Sequence, residues 1–265
     1  MNKKHTRPTS LPHREWLPLK TTPIAEALLE LRFEPTEAVT MEQIEAFATA
    51  VAAHFPIKQP IYEQSFAFKI GPPSASQSVT NIQPVGLDLR NTAKNRVLLP
   101  RIERFTASYL PPYVSWPALL EDLKTYYDIY RANVQHGPLL RLGMRYINRV
   151  EVTLVDGRVD LDEYLKTGPR LPTEYGLEDA VAGYDSTVVM PIQTADQLCR
   201  ARIHYQLPDP LDAKVQPMIL DIDVFYAITG PLEWDAIAQR FEIMRQARNA
   251  IFFGTFTDKA LAPYR

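Results

Sequence analysis

Arginine side chains recur on alternate positions of the apolar stretch 139–154 and again near residue 200. Arg141, Arg145 and Arg149 occupy odd positions of that stretch, whereas most of its even positions are apolar. Because a strand sends alternate side chains to opposite faces, one face would be rich in arginine. Guanidinium groups form paired hydrogen bonds with phosphates and carboxylates. The predicted ligand-binding set on this face is Arg32, Arg141, Arg145, Arg149, Arg200, Arg202 and His204.

Four acidic residues share this side of the predicted strands. Asp221 and Asp223 stand at alternate positions, as do Glu26 and Glu30 with one intervening residue of the same face, Leu28. Carboxylate oxygens bind Mg²⁺ or Mn²⁺, and they also form ion pairs with arginines on neighbouring strands. Both interpretations are open from the sequence: a metal site at these four carboxylates, or cross-strand ion pairs.

The polar face as a whole has two interpretations. It could be an open, solvated face whose charges pair across strands and add a few tenths of a kcal/mol each. It could instead be an organised site that binds an anion. The cations of these stretches are all arginines, and the carboxylates stand in separate strands, which favours an organised site.

The stretches that carry these residues alternate with amphipathic helices in an order that occurs twice. Each half is predicted to run β-α-β-β-β-α, with strands at 24–33, 61–70, 86–90, 97–110, 139–154, 186–192, 198–207 and 217–228. Helices are predicted at 41–55, from 116, at 160–166 and at 232–253. This order predicts an α+β protein in which duplicated units form one large curved antiparallel sheet or a wide barrel, with helices on its apolar face.

Prolines and composition shifts predict the boundaries of these parts. Residues 1–22 are basic, contain several prolines and show no periodicity, and we expect a disordered basic arm. Residues 23–137 form the first half, and residues 138–265 form the second half of the same domain. The stretch 167–185 is predicted to be a mobile loop.

Composition excludes several classes of function. The chain has 265 residues and a net charge of −2, which argues against a nucleic-acid coat, so nucleic acid is not the favoured partner. With 10 glycines against 23 prolines, a glycine-rich phosphate loop is disfavoured and side chains would have to bind any phosphate. The single cysteine, Cys199, predicts a buried structural thiol in a cytoplasmic protein. No stretch approaches the ~20 apolar residues that cross a bilayer, so no membrane partner is expected.

Four short motifs carry a resemblance to a known family. They are Pro23-Ile24-x-Glu26-Ala27, Arg141-x-Gly143-x-Arg145-Tyr146-x-Asn148-Arg149, Leu220-Asp221-Ile222-Asp223 and Ile251-Phe252-x-x-x-Phe256-Thr257-Asp258. With these motifs, residues 23–265 resemble a sporadically distributed family of conserved bacterial proteins whose function is not established. The resemblance implies an accessory module, for example in phage defence or a toxin–antitoxin-like locus.

The duplicated order also resembles the architecture of the triphosphate tunnel (CYTH-like) enzymes. Those enzymes build a wide antiparallel barrel lined with Arg, Lys and Glu, and their first strand carries Glu-x-Glu-x-Lys. In this chain Leu28 stands in place of the second carboxylate and Arg32 in place of the lysine. This resemblance implies a metal-dependent phosphohydrolase as an alternative function.

The sequence therefore predicts a binding protein, and leaves open whether it is an enzyme. The expected ligand is a phosphate-bearing small molecule or an acidic partner protein held by the arginines. No cofactor is required beyond Mg²⁺ or Mn²⁺ for the hydrolase alternative. A third interpretation is a protein–protein interaction subunit that works as an oligomer or in a hetero-complex.

Overall fold

A computed structural model describes residues 16, 19–68, 78–154, 157, 159–168, 183–194, 198–209 and 214–265. Within them lie nine strands: β1 (Ile24–Phe33), β2 (Ile57–Phe68), β3 (Ser78–Arg90), β4 (Arg96–Arg101), β5 (Arg104–Tyr109), β6 (Leu139–Thr153), β7 (Tyr184–Pro191), β8 (Cys199–Leu207) and β9 (Val215–Ala227). The helices of the same residues are α1 (Met41–Val51), α2 (Trp116–Asn133), α3 (Leu161–Tyr164), α4 (Trp234–Thr255), α5 (Asp258–Leu261) and a 3₁₀ helix at Ala262–Tyr264. In this part of the chain, no helix is both long and apolar enough to span a membrane.

All nine strands belong to one antiparallel sheet. Its strand order is β2-β3-β4-β5-β1-β6-β9-β8-β7, so the first strands of the two halves, β1 and β6, pair at the centre. The order ends at β2 on one side and β7 on the other, and the described strands form no closed barrel. The prediction of one large antiparallel sheet is confirmed, and the barrel alternative is wrong.

The helices cover the apolar face of this sheet, as the alternation predicts. In β1, Leu29, Leu31 and Phe33 are fully buried, whereas the intervening residues are only partly covered. Helix α2 packs against β5 and β1, α4 packs against β9 and β6, and α1 packs against β3 and α2. The opposite face carries the charged residues, and it includes the sites described below.

Residues 97–110, predicted as one strand, are two strands joined by a tight turn at Ile102 and Glu103. β4 and β5 pair in antiparallel register, with Arg101 opposite Arg104 and Leu98 opposite Ala107. The turn contains neither glycine nor proline, so composition gives no signal for it. The first half therefore has the order β-α-β-β-β-β-α, one strand longer than predicted.

The starts of α1 and α2 agree with the predicted ones, whereas α1 ends at Val51, before the predicted residue 55. The side-chain oxygen of Thr40 accepts a hydrogen bond from the backbone N–H of Gln43 and caps α1, and Ser115 caps α2 in the same way. β2, β3 and β7 begin earlier than predicted, at Ile57, Ser78 and Tyr184. The predicted loop 167–185 falls mostly outside the described residues, as do residues 69–70 of the second predicted strand.

The predicted N-terminal arm, 1–22, also lies mostly outside the described residues. Its described positions contact α4 and the C-terminal residues. Trp16 stacks on Phe253 of α4, with 4.9 Å between the ring centres. The backbone N–H of Lys20 donates to the carbonyl oxygen of Tyr264 at 2.8 Å. The end of this segment is therefore docked rather than detached from the domain.

Candidate functional site: an arginine-rich groove

The charged residues of the polar face line two adjoining cavities across the middle of the sheet. The first cavity measures about 240 Å³ and the second about 330 Å³. Both are lined by Arg145 and Asp223, so they meet at β6 and β9. We call the two cavities together the polar groove.

The first cavity contains more arginine than carboxylate. It is lined by Leu28, Glu30, Leu99, Arg101, Arg104, Thr106, Arg141, Gly143, Arg145 and Asp223. These residues come from β4, β5, β1, β6 and β9, which are consecutive neighbours in the sheet. Four guanidinium groups and two carboxylates therefore line this end of the groove, and Asp221 and Glu103, which pair with Arg145 and Arg104, offset part of the excess positive charge.

Arg141 lies at the centre of this cavity and is already paired. Its Nη1 donates to Oε1 of Glu30 at 2.6 Å, and its Nη2 donates to the Asp223 carboxylate at 3.0 and 3.2 Å. The guanidinium also lies 4.8 Å from the centre of the Phe225 ring. Gly143 makes room for this arrangement, because a Cβ atom at position 143 would lie 2.9 Å from Nη1 of Arg141.

The neighbouring pair, Arg145 and Asp221, has bidentate geometry. Nε and Nη2 of Arg145 donate to the two Asp221 oxygens at 2.9 and 2.7 Å. The Arg145 side chain is 45% exposed, so it retains a face toward the groove. The pairings at Arg141 and Arg145 are the cross-strand ion pairs of one sequence interpretation.

Arg101 and Arg104 supply the unbalanced charge of the first cavity. Arg104 lies 3.2 Å from Glu103 and 3.7 Å from Glu30, whereas Arg101 forms no ion pair with any described residue. The Nε atoms of both arginines are buried and have no hydrogen-bond acceptor in the described part of the chain. Burial lowers the pKa of Arg101, and the positive charge of Arg104 lowers it further.

These two arginines are absent from the predicted ligand-binding set. In a single strand over 97–110, residues 101 and 104 would project to opposite faces. The turn after β4 instead places the two residues directly opposite each other on adjacent strands, so their side chains lie on the same face of the sheet. Alternation alone places Arg101 on the charged face with Glu103, but a signal for the turn would have been needed to place Arg104 beside it, and the sequence of Ile102 and Glu103 contains none.

The second cavity contains as many carboxylates as arginines. It is lined by Arg145, Thr187, Arg202, His204, Asp221 and Asp223. β8 places Arg202 opposite Asp223 and His204 opposite Asp221, and β7 places Thr187 opposite His204. Nε2 of His204 lies 3.0 Å from Oδ1 of Asp185. Two arginines and two carboxylates balance here, and a hydroxyl and an imidazole stand beside them.

Asp223 is the carboxylate common to both cavities. Burial raises its pKa, and Glu30 raises it further, while Arg141, Arg145 and Arg202 oppose the change. The desolvation of this carboxylate outweighs three nearby guanidinium groups. The pKa of Asp223 is therefore raised, so this carboxylate takes up a proton at a higher pH than an ordinary aspartate does.

Three arginines of the predicted set lie outside both cavities. Arg32 pairs with Glu103 at 3.4 Å, and Arg149 pairs with Glu151 at 3.0 Å on its own strand. Arg200 is exposed on β8. The structure therefore brings Arg141, Arg145, Arg202 and His204 together at the groove.

The four predicted metal ligands have other partners. Glu26 accepts a hydrogen bond from the Ser108 hydroxyl at 2.8 Å, and the other three carboxylates pair with arginines. Among the described residues, no three His, Cys, Asp or Glu side chains form a group that could hold a metal ion. The geometry therefore does not favour the metal-dependent hydrolase alternative.

Comparison with known proteins adds no family to this picture. No protein-family model matches the sequence, and no curated protein is similar to it at a significant level. The chemistry of the groove is therefore the basis for assigning a function.

Proposed function

We propose that the polar groove binds a small phosphate-bearing ligand, and that Arg101 and Arg104 are its anchor. The observation that carries this proposal is that these two partly buried arginines lie directly opposite each other on adjacent strands. Arg101 has no ion-pair partner among the described residues. Like charges directly opposite each other destabilise a sheet. A bound oxyanion would offset that repulsion and accept charge-assisted hydrogen bonds from the guanidinium groups of the two arginines.

The dimensions of the groove support a small ligand over a protein segment. Cavities of about 240 and 330 Å³ together reach the size that small-molecule sites have, about 300–1,000 Å³. Leu28 and Leu99 provide apolar walls in the first cavity, so a ligand there would be partly removed from water. Charge-assisted hydrogen bonds are stronger in such surroundings.

Isothermal titration calorimetry with inorganic phosphate, pyrophosphate and AMP at low and high salt tests the proposal. We expect binding that weakens with salt and that falls about tenfold or more in Arg101→Ala, because each charge-assisted hydrogen bond contributes about 1.5–3 kcal/mol. Arg101→Lys should retain part of the affinity, since it keeps the charge but loses the planar donor pair.

A matched control is Arg131→Ala on the outer surface of α2. Arg131 pairs only with Asp128 of the same helix among the described residues and is 61% exposed, so its loss should leave phosphate affinity unchanged. Absence of heat with all three anions at both salt concentrations would refute the proposal. Equal weakening in the Arg101 and Arg131 variants would also refute it, because binding would then depend on net charge alone.

The edge strand β7 supports a second candidate function, an interaction subunit. Val188, Val189 and Met190 are 45%, 55% and 39% exposed on this strand. An exposed edge with apolar side chains is a surface to which another strand can be added. Size-exclusion chromatography with light scattering, comparing the wild type with Val189→Lys, tests this candidate; a monomer in both proteins and no co-purifying chain would refute it.

We also infer that the two halves arose from one duplicated unit within an accessory bacterial module. From β1 outward the strands run β5, β4, β3 and β2, and from β6 outward they run β9, β8 and β7. In each half the last strand returns beside the first, and a helix follows it. The central pairing of β1 with β6 is antiparallel, which suits an approximate two-fold relation between the halves.

A further inference from the structure

The two cavities of the polar groove differ in their charged residues, and this difference indicates which class of ligand the groove binds. The inference rests on the proposed function and specifies the class of ligand. At the first cavity, four arginines face Glu30 and Asp223. At the second, Arg145 and Arg202 face Asp221 and Asp223. The first end, where Arg101 has no ion-pair partner among the described residues, therefore attracts an anion more strongly than the second end.

The second cavity is suited to uncharged hydroxyl groups. Carboxylates of Asp221 and Asp223 accept hydrogen bonds from hydroxyls, and the side chain of Thr187 can donate or accept. A second anionic group at this position would meet the two carboxylates as well as Arg145 and Arg202, so it would gain less net attraction than in the first cavity. A ligand that is anionic along its whole length thus fits the first cavity better than the second.

We propose that the ligand is a phosphorylated sugar, free or as part of a nucleotide. Its phosphate would bind Arg101 and Arg104 in the first cavity, and its hydroxyl groups would bind Asp221, Asp223 and Thr187 in the second. A single small molecule can span both, because the cavities share Arg145 and Asp223 in their walls. The shared walls also fix the order of the two ends along the groove.

Calorimetric titration of the full chain with four probes tests this assignment: ribose 5-phosphate, inorganic phosphate, ribose and tripolyphosphate. We expect ribose 5-phosphate to bind at least about tenfold more tightly than inorganic phosphate, because hydroxyl hydrogen bonds to the Asp221 and Asp223 carboxylates are charge-assisted. Ribose alone should show no measurable binding. Tripolyphosphate should bind more weakly than ribose 5-phosphate despite its greater charge.

Thr187→Val separates the two ends of the ligand, because it removes a hydroxyl and keeps the branched shape of the side chain. Thr187 is exposed on an edge strand, so the variant should fold normally. It should weaken ribose 5-phosphate binding about threefold to tenfold and leave inorganic phosphate binding unchanged. Thr153→Val, at an exposed end of β6 that lines neither cavity, is the matched control and should change neither affinity.

The outcomes distinguish this inference from the proposed function. If inorganic phosphate and ribose 5-phosphate bind equally, or if tripolyphosphate binds most tightly, the sugar assignment is overturned while phosphate binding by the groove stands. If Thr187→Val weakens both phosphate probes equally, the placement of the hydroxyl end is overturned. If no phosphate compound binds and Arg101→Ala has no effect, the proposed function itself fails.

Discussion

The guanidinium of Arg141 folds back over Gly143, two residues further along the same strand. A Cβ atom at Gly143 would lie 2.9 Å from Nη1 of Arg141 and 3.3 Å from Cβ of Glu30. The absent side chain is therefore what lets Arg141 reach both Glu30 and Asp223 across two neighbouring strands. Gly143 thereby determines the position of the central cation of the groove.

Gly143→Ala should displace Arg141 while leaving the fold intact. The contact is with the far end of a flexible side chain, and alanine is favoured over glycine in a strand by about 0.5–1 kcal/mol, so we expect a change of less than about 1 kcal/mol in the free energy of unfolding. Phosphate affinity should fall about threefold to tenfold, because Arg141 can no longer hold both carboxylates and face the cavity. Isothermal titration calorimetry measures the phosphate affinity, and urea denaturation measures the free energy of unfolding.

Gly254→Ala is the matched control for this substitution. Gly254 is exposed on α4, and a Cβ atom added there would have no neighbouring atom within 4 Å outside its own helix backbone. Alanine should raise the free energy of unfolding by about 0.5–1 kcal/mol through helix propensity and leave phosphate affinity unchanged. Unaltered phosphate affinity in Gly143→Ala would contradict the role assigned to the glycine.

The alternation of residue types was sufficient to predict which face of the sheet is charged. Leu142, Met144 and Tyr146 are fully buried under the helices, and Arg141 and Arg145 lie on the opposite face. A period of two residues is a local property of the chain, so it can be obtained without knowing which strands are neighbours. The buried Cys199 follows from the same alternation and is confirmed.

The partners of the charged residues could not be predicted in this way. Arg149 pairs with Glu151 on its own strand, whereas Arg145 pairs with Asp221 on β9. That choice depends on strand order and register, which are set by packing between distant parts of the chain. The position of Arg104 beside Arg101 was missed because a turn without glycine or proline reverses the chain between them.

Asp122 should stabilise the contact between α2 and the sheet. Its carboxylate accepts a hydrogen bond from the Tyr109 hydroxyl at 2.6 Å and pairs with Arg96, and its side chain is 17% exposed. Asp122→Ala leaves a partly buried guanidinium without its partner, so we expect a loss of about 1–3 kcal/mol in the free energy of unfolding. Urea denaturation monitored by circular dichroism measures the change.

Asp128→Ala on the same helix is the comparison for Asp122→Ala. Asp128 is 39% exposed and pairs with Lys124 and Arg131 of its own helix, so its loss should cost no more than about 0.5 kcal/mol. Similar losses in the two variants would show that the Asp122 cluster contributes no more than an exposed ion pair.

Asp221→Asn should strengthen anion binding. The substitution removes a negative charge from the groove and replaces one of the two oxygens that accept hydrogen bonds from Arg145, which frees one of the two donors. We expect sulfate to bind about threefold more tightly, at a cost of less than about 1 kcal/mol in stability because Arg145 is half-exposed. Asp258→Asn, which removes an exposed carboxylate at the start of α5, is the control and should leave sulfate affinity unchanged. Weaker sulfate binding in Asp221→Asn would contradict the prediction.

Sulfate binding should strengthen as the pH falls, because of Asp223. Burial raises the pKa of this carboxyl, so it takes up a proton at a higher pH than an ordinary aspartate does. Its neutral form removes a negative charge from both cavities, whereas Arg141, Arg145 and Arg202 stay protonated. Sulfate keeps its charge over the range from about pH 7.5 to about pH 5, so a rise in affinity reports on the protein.

Asp223→Asn assigns that pH dependence to one group. The variant carries the neutral side chain at every pH, so it should bind sulfate more tightly than the wild type near pH 7.5. Its affinity should also change less between the two pH values. Glu30 faces the same arginine and His204 lines the second cavity, and both remain in the variant, so any residual slope measures their joint contribution. Equal slopes in the wild type and Asp223→Asn would show that Asp223 is not the group that links proton uptake to anion binding.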